Sequence, residues 1–179
     1  MPYIITLVIL ILIMGIWWIT TKNKFRQLLV KIDEASSGID VALTKRYDTL
    51  TKLVDITKSY AKHEVETFEK IVNLRKGMNI SEKNDINGQL DNMSSRISLL
   101  AENYPELKSS ENYRQLQVAA SDVEEHLQAA RRLYNSNVSL LNQLVVSFPS
   151  SIVSKSMGIR KQDFFIAEEA KRADVAMEL

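Results

Sequence analysis

The chain has 179 residues, with 23 Lys plus Arg set against 22 Asp plus Glu, so no charge excess points to nucleic acid. It contains no cysteine, which excludes disulfides, iron–sulfur clusters, thiolate zinc sites, a thiol nucleophile and a lipoprotein anchor. Only 5 Gly and 3 Pro punctuate it, which favours long helices over many short strands.

Residues 1–21 carry no charged side chain. From Pro2 to Thr21 a helix would rise roughly 29 Å, close to the hydrocarbon thickness of a bilayer. A cleaved signal is disfavoured on three counts. No Lys or Arg precedes the run, it exceeds the about 7–15 apolar residues of a signal core, and it ends in Trp17-Trp18-Ile19, not in small residues. Tyr3 at one end and Trp17 and Trp18 at the other suit the two interfacial aromatic belts. Lys22, Lys24 and Arg26 follow at once, joined by Lys31, so the positive-inside rule places the N-terminus outside and the remainder in the cytoplasm. The span holds no ionisable group for a transport or proton-relay role.

Beyond the anchor, Phe25, Leu28, Ile32, Ala35, Ile39, Ala42, then, after Arg46, Leu50, Leu53 and Thr57/Tyr60 recur at three and four. This is a heptad seam. It resumes through Glu64, Phe68, Ile71 and Val72 and predicts a helix from about Lys24 to Lys76, roughly 80 Å long. Nothing between Trp17 and Phe25 breaks a helix, so span and seam are expected to be continuous. Gly38 lies inside it and suggests close approach by a neighbour.

Gly77 to Asn84 reads as a loop. A second helix then carries Ile86, Leu90, Met93, Ile97, Leu100 and Tyr104 and stops at Pro105. Ser109-Ser110 supplies a cap for a third, whose seam is Leu116, Ala120, Val123, Leu127, Ala130, Tyr134, Val138, Leu141, Val145 and Phe148, with Pro149 ending it. A break follows around Ser154 to Gly158, then a short amphipathic piece near Phe164 to Arg172. The expected fold is all-α: a transmembrane helix over residues 1–21, an antiparallel bundle of long amphipathic helices over 22–158, and an amphipathic tail over 159–179.

Asp33, Asp40, Asp48 and Asp55 recur at seven and eight along the first helix, beside Lys45, Arg46, Lys52 and Lys58. They form a polar flank suited to inter-helix or inter-subunit pairing. Phe164 and Phe165 are costly to expose side by side; docking on the bundle is expected, with self-association or membrane contact as the alternative. His63-Glu64-x-Glu66 and Glu124-Glu125-His126 are the only His/carboxylate groupings, and neighbouring helical residues point about 100° apart, so a metal site is not expected. No phosphate-binding glycine loop or nucleophile elbow occurs. Three Asn-x-Ser sequons (Asn79, Asn92, Asn137) carry no meaning in a cytoplasmic domain.

Several stretches resemble the LemA family: Asp33-Glu34-Ala35-Ser36-Ser37-Gly38-Ile39-Asp40-Val41-Ala42-Leu43, Arg46-Tyr47-Asp48, Tyr60-Ala61-Lys62-His63-Glu64, Ala101-Glu102-Asn103-Tyr104-Pro105-Glu106-Leu107-Lys108, Ala130-Arg131-Arg132-Leu133-Tyr134-Asn135 and Phe148-Pro149-Ser150. Ser36 stands where the family commonly has tryptophan, and Thr51 where proline is frequent, which would leave this first helix less kinked. The resemblance implies a single-span bacterial membrane protein with a cytoplasmic helical bundle, no accepted enzymatic activity and no catalytic residues to carry over. The expected function is therefore a non-enzymatic membrane-anchored structural or assembly protein in the inner or plasma membrane, without cofactor. Its partners would be the lipid bilayer and further copies of itself. The alternative is a monomeric adaptor for another membrane or cytoplasmic protein.

Overall fold

The computed structural model describes residues 2–60 and 77–166. Among them the elements are helices: α1 (Pro2–Lys58), α2 (Ile80–Asn103), α3 (Pro105–Ser109), α4 (Glu111–Val146) and α5 (Ser150–Ser156). The span does continue into the first seam, as α1 is one unbroken helix of 57 residues. Thr51 sits inside it, its hydroxyl donating back to the Tyr47 carbonyl at 2.9 Å. The helix does not run on to Lys76 as expected: α1 ends at Lys58, where Ser59 and Tyr60 turn, their amides donating to the Ile56 and Thr57 carbonyls at 3.2 and 3.0 Å. Glu64, Phe68, Ile71 and Val72 lie outside the described residues, as does the tail beyond Ile166.

Two further boundaries differ from expectation. Residues 80–84 are helix, not loop, because Asn79 and Glu82 form a reciprocal capping box: the Asn79 side chain accepts from the Glu82 amide at 2.9 Å, and Glu82 accepts from the Asn79 amide at 2.8 Å. The break placed around Ser154 begins later. α5 occupies Ser150–Ser156, and the chain turns at Gly158, whose φ of +68° is a conformation that favours glycine. Pro105 does stop α2, but it also opens α3 at the first helical position, where a missing N–H costs nothing.

The described residues form two compact units. The first joins residues 1–36 to 132–164. In it Phe25, Leu28, Ile32 and Ala35 of α1 are buried, as are Tyr134, Val138 and Leu141 of α4 and Val153 of α5. Asn137 Nδ2 donates to the Lys31 carbonyl at 3.4 Å. Asn142 holds the segment after α5 with two bonds, its amide donating to the Gln162 carbonyl and its oxygen accepting the Gln162 amide, both at 2.9 Å.

The second unit joins residues 37–60 and 77–131 to 165–166. Its core is Ile39, Ala42, Leu43, Leu50, Leu53 and Val54 of α1, with Ile86, Leu90, Met93, Ile97 and Ala101 of α2, Leu107 of α3, and Tyr113 and Leu127 of α4. Each fully buried Leu or Ile contributes about 1.5–3 kcal/mol, so these stripes dominate the unit's stability. α4 runs antiparallel to α1: Gly38 lies by Ala130, Arg46 by Glu124, and Lys52 and Ile56 line one groove with Asn112 and Leu116. The pairs Asp40–Lys83 and Arg46–Asn87 advance together, so α1 and α2 run in the same direction and α4 runs against both.

Candidate functional site

Arg46 interrupts the α1 seam with a charge at a position that should be apolar, and it is 7% exposed. A guanidinium there needs partners on the helices it faces. It finds them on both: Nη1 donates to Asn87 Oδ1 at 2.7 Å, Nη2 to Asp91 Oδ1 at 2.5 Å, and Nη2 lies 3.1 Å from Glu124 Oε2. Asn87 in turn donates to the second Asp91 oxygen at 3.3 Å. Lys83, one turn before Asn87, is 2% exposed and its ammonium meets Asp40 at 2.8 Å. Asp40 Oδ1 and Glu124 Oε2 have no aligned hydrogen bond. Their compensation is the adjacent cationic charge.

The network extends along α4 to Arg131. Burial pushes its guanidinium pKa down from the usual value, while Glu124 and Asp91 favour its charge and Arg46 opposes it. Phe165 is 2% exposed and packs its ring face under Arg131, 4.7 Å from the guanidinium carbon. The two phenylalanines thus part company: Phe165 is docked, and Phe164 is 43% exposed. Arg46, with Asp91 of α2 and Glu124 of α4 on its guanidinium, joins three helices. The arrangement fixes helix register; it does not resemble an acid–base pair.

The remaining polar groups are engaged singly. His126 is exposed, and its Nδ1 donates to the Asp122 carbonyl at 2.7 Å, while neighbouring Glu124 turns to Arg46. Among the described residues no three His, Cys, Asp or Glu come close enough to hold a metal ion. His63 and Glu66 lie outside them. Asp48 and Asp33 are exposed, and Asp55 pairs with Lys58, one turn on, at 3.7 Å. A groove of about 480 Å³ is lined by Lys52, Asp55, Ile56, Asn112, Gln115 and Leu116.

In the first unit the side chains of Ile4 to Ile16 all stand exposed, a continuous apolar surface that water would not tolerate. α1 is accordingly a candidate membrane span. Tyr3 is exposed at its start; Trp17 and Trp18 meet edge to face, 6.5 Å apart at 68°, at its far end. Lys22 is half-buried, and Lys24 and Arg26 are exposed. Tyr134 donates to the Asp163 carbonyl at 3.2 Å, and burial, with Asp163 and Asp33 nearby, pushes its phenol pKa up.

Sequence reasoning flagged Arg46 and Asp40 but missed Lys83, Asn87, Asp91 and Arg131. A signal existed: Lys83, Asn87 and Asp91 recur every four residues alongside the apolar stripe of α2, a polar line on a face that should be half-covered. Two sequons also have structural roles, Asn79 as a cap and Asn137 as a bond to Lys31.

Residues 35–178 match the sequence model of the LemA family. A protein named Protein LemA, from Metamycoplasma hominis, is 28% identical over 173 residues, which cover 92% of this chain and 79% of that protein.

Proposed function

The chain belongs to the LemA family, and on that premise we propose that it is a membrane-anchored, non-enzymatic structural protein that assembles with further copies of itself. The observation that carries this reading is α1. One helix holds both the apolar stretch and the core of the bundle, so whatever the bundle binds is held at the membrane. The buried charges support a structural role, since Arg46 and Lys83 each serve a helix–helix joint. The basic flank Lys22, Lys24 and Arg26 favours an N-terminus outside a bacterial inner or plasma membrane and a bundle in the cytoplasm.

Self-association would use outward residues, because most seam residues among the described ones are buried or half-buried within the chain. Val30, Leu133 and Leu140 are 65%, 56% and 48% exposed and are the candidates in the first unit. That same burial favours the second reading, a monomeric adaptor. The mass of the full-length protein in mild detergent separates them. A discrete particle of several copies supports assembly; a monomer that co-purifies with a stoichiometric partner supports the adaptor.

A further inference from the structure

The far end of α4 returns to the place where α1 leaves its apolar stretch. Asn137 bonds to the Lys31 carbonyl, and Tyr134 feels the Asp33 carboxylate, so in this unit the two helices run antiparallel. Both rise 1.5 Å per residue, so Val146 comes level with Lys22, and the turn after it with Thr20 and Thr21. At that level the chain exposes large apolar groups: Val146 57%, Phe148 83% and Ile152 50%. Phe148 was expected on the α4 seam. It lies outside because α4 ends at Val146, two residues short of it.

The charges around this end are of one sign. No Asp or Glu occurs before Asp33, and none from Arg132 to Gln162, whereas Lys155, Arg160 and Lys161 join Lys22, Lys24 and Arg26. Asn142 clamps Gln162 about level with Arg26, so Arg160 and Lys161 pass within one or two helical turns of the end of the apolar stretch. In a chain of net charge +1, this part is basic because it lacks acids.

We propose that the α4–α5 turn is a second membrane contact, in which Phe148 and Ile152 enter the bilayer interface beside the span while Lys155, Arg160 and Lys161 meet anionic lipid headgroups. The inference rests on the anchoring reading. Three features choose lipid over a protein partner: continuity with the apolar surface of α1, the depth of the turn beside Trp17 and Trp18, and the unbroken basic charge around it. A lone short apolar patch would bind membranes poorly; attached to a span, it needs no affinity of its own to reach the surface.

The test uses the full-length chain, whose natural lack of cysteine permits single labels. Ile9→Cys, Phe148→Cys, Ile152→Cys and Arg132→Cys are each labelled with an environment-sensitive fluorophore and reconstituted in vesicles of phosphatidylcholine and phosphatidylglycerol. Some vesicles carry nitroxide lipids with the quencher shallow or deep. The expected result is strong loss of emission at Ile9 with the deep quencher, strong loss at Phe148 and Ile152 with the shallow one, and little at Arg132. Omitting phosphatidylglycerol should weaken the loss at Phe148 and Ile152 but not at Ile9. Quenching at Ile9 without quenching at Phe148 and Ile152 overturns this contact and leaves the anchor standing. No quenching at Ile9 overturns both. Emission at Phe148 that shifts with protein concentration and ignores lipid quenchers would mean that a second copy covers the turn, which also overturns it. All four positions are exposed, so the substitutions leave packing intact.

Discussion

Arg46 of α1 and Asp91 of α2 meet at 2.5 Å with side chains only 9% and 13% exposed. Glu124 of α4 closes on the same guanidinium nitrogen, so one residue ties three helices in a single register. Replacing Arg46 by Ala leaves two carboxylates facing each other without a counter-charge. We expect a loss of about 3–5 kcal/mol, read as a lower thermal midpoint by circular dichroism of the full-length protein in detergent. Glu124→Gln, at the most exposed member, should cost about 1 kcal/mol. Replacing Arg46, Asn87 and Asp91 together with Met and Leu should recover most of the loss, because apolar groups of similar volume need no partners. A triple variant as unstable as Arg46→Ala would contradict this account.

Phe164 and Phe165 are neighbours with opposite fates. Phe165→Ala should cost about 3 kcal/mol, and Arg131→Met about 1 kcal/mol through loss of the ring contact. Phe164→Ala should lie within about 0.5 kcal/mol of the parent. Urea unfolding of the three variants in detergent checks the order.

Gly38 is a helix-interior glycine with room for a side chain. A Cβ built on it meets Ala130 Cβ at 3.8 Å, an ordinary contact. The close approach anticipated from the sequence places α4 nearby without requiring glycine. Gly38→Ala should therefore raise stability by up to about 1 kcal/mol, seen as a higher thermal midpoint.

Much of the α1 core was legible because one stripe of residues does one job. Phe25 to Leu53 could be ranked as core by spacing alone, and all of them are buried. Arg46 was visible as an interruption, but its partners were not. Asp91 and Glu124 look like ordinary surface acids until α2 and α4 are placed, and the direction of α2 beside α1 depends on a connection, not on periodicity. The start of α2 was misjudged for a local reason: Asn79 reads as a loop residue unless Glu82 is weighed as its reciprocal partner.

That capping box is open to a direct check. Asn79→Ala should cost about 1 kcal/mol and speed amide exchange over Ile80–Lys83 roughly five-fold while leaving Leu90 to Ile97 protected. Uniform protection across α2 in the variant would contradict the cap.

Tyr113 and Tyr134 give the protein an alkaline limit. Burial holds both phenols above their usual 10.0, with Gln117 partly opposing it at Tyr113 and Asp163 and Asp33 adding to it at Tyr134. A raised folded-state value means that the unfolded chain loses the proton first. The stabilisation is fully present below pH 10 and is lost as pH rises through the folded values. The thermal midpoint should fall above pH 10, and Tyr113→Phe with Tyr134→Phe should flatten that fall.

If the apolar start of α1 stays on the chain, it holds the protein in a bilayer, and the intact mass of the protein recovered from cell membranes after an alkaline wash reads this out. The whole 20.4 kDa chain, residues 1–21 included, is expected in the washed membrane fraction and released only by detergent. A shorter chain lacking those residues, free in the wash, would contradict it.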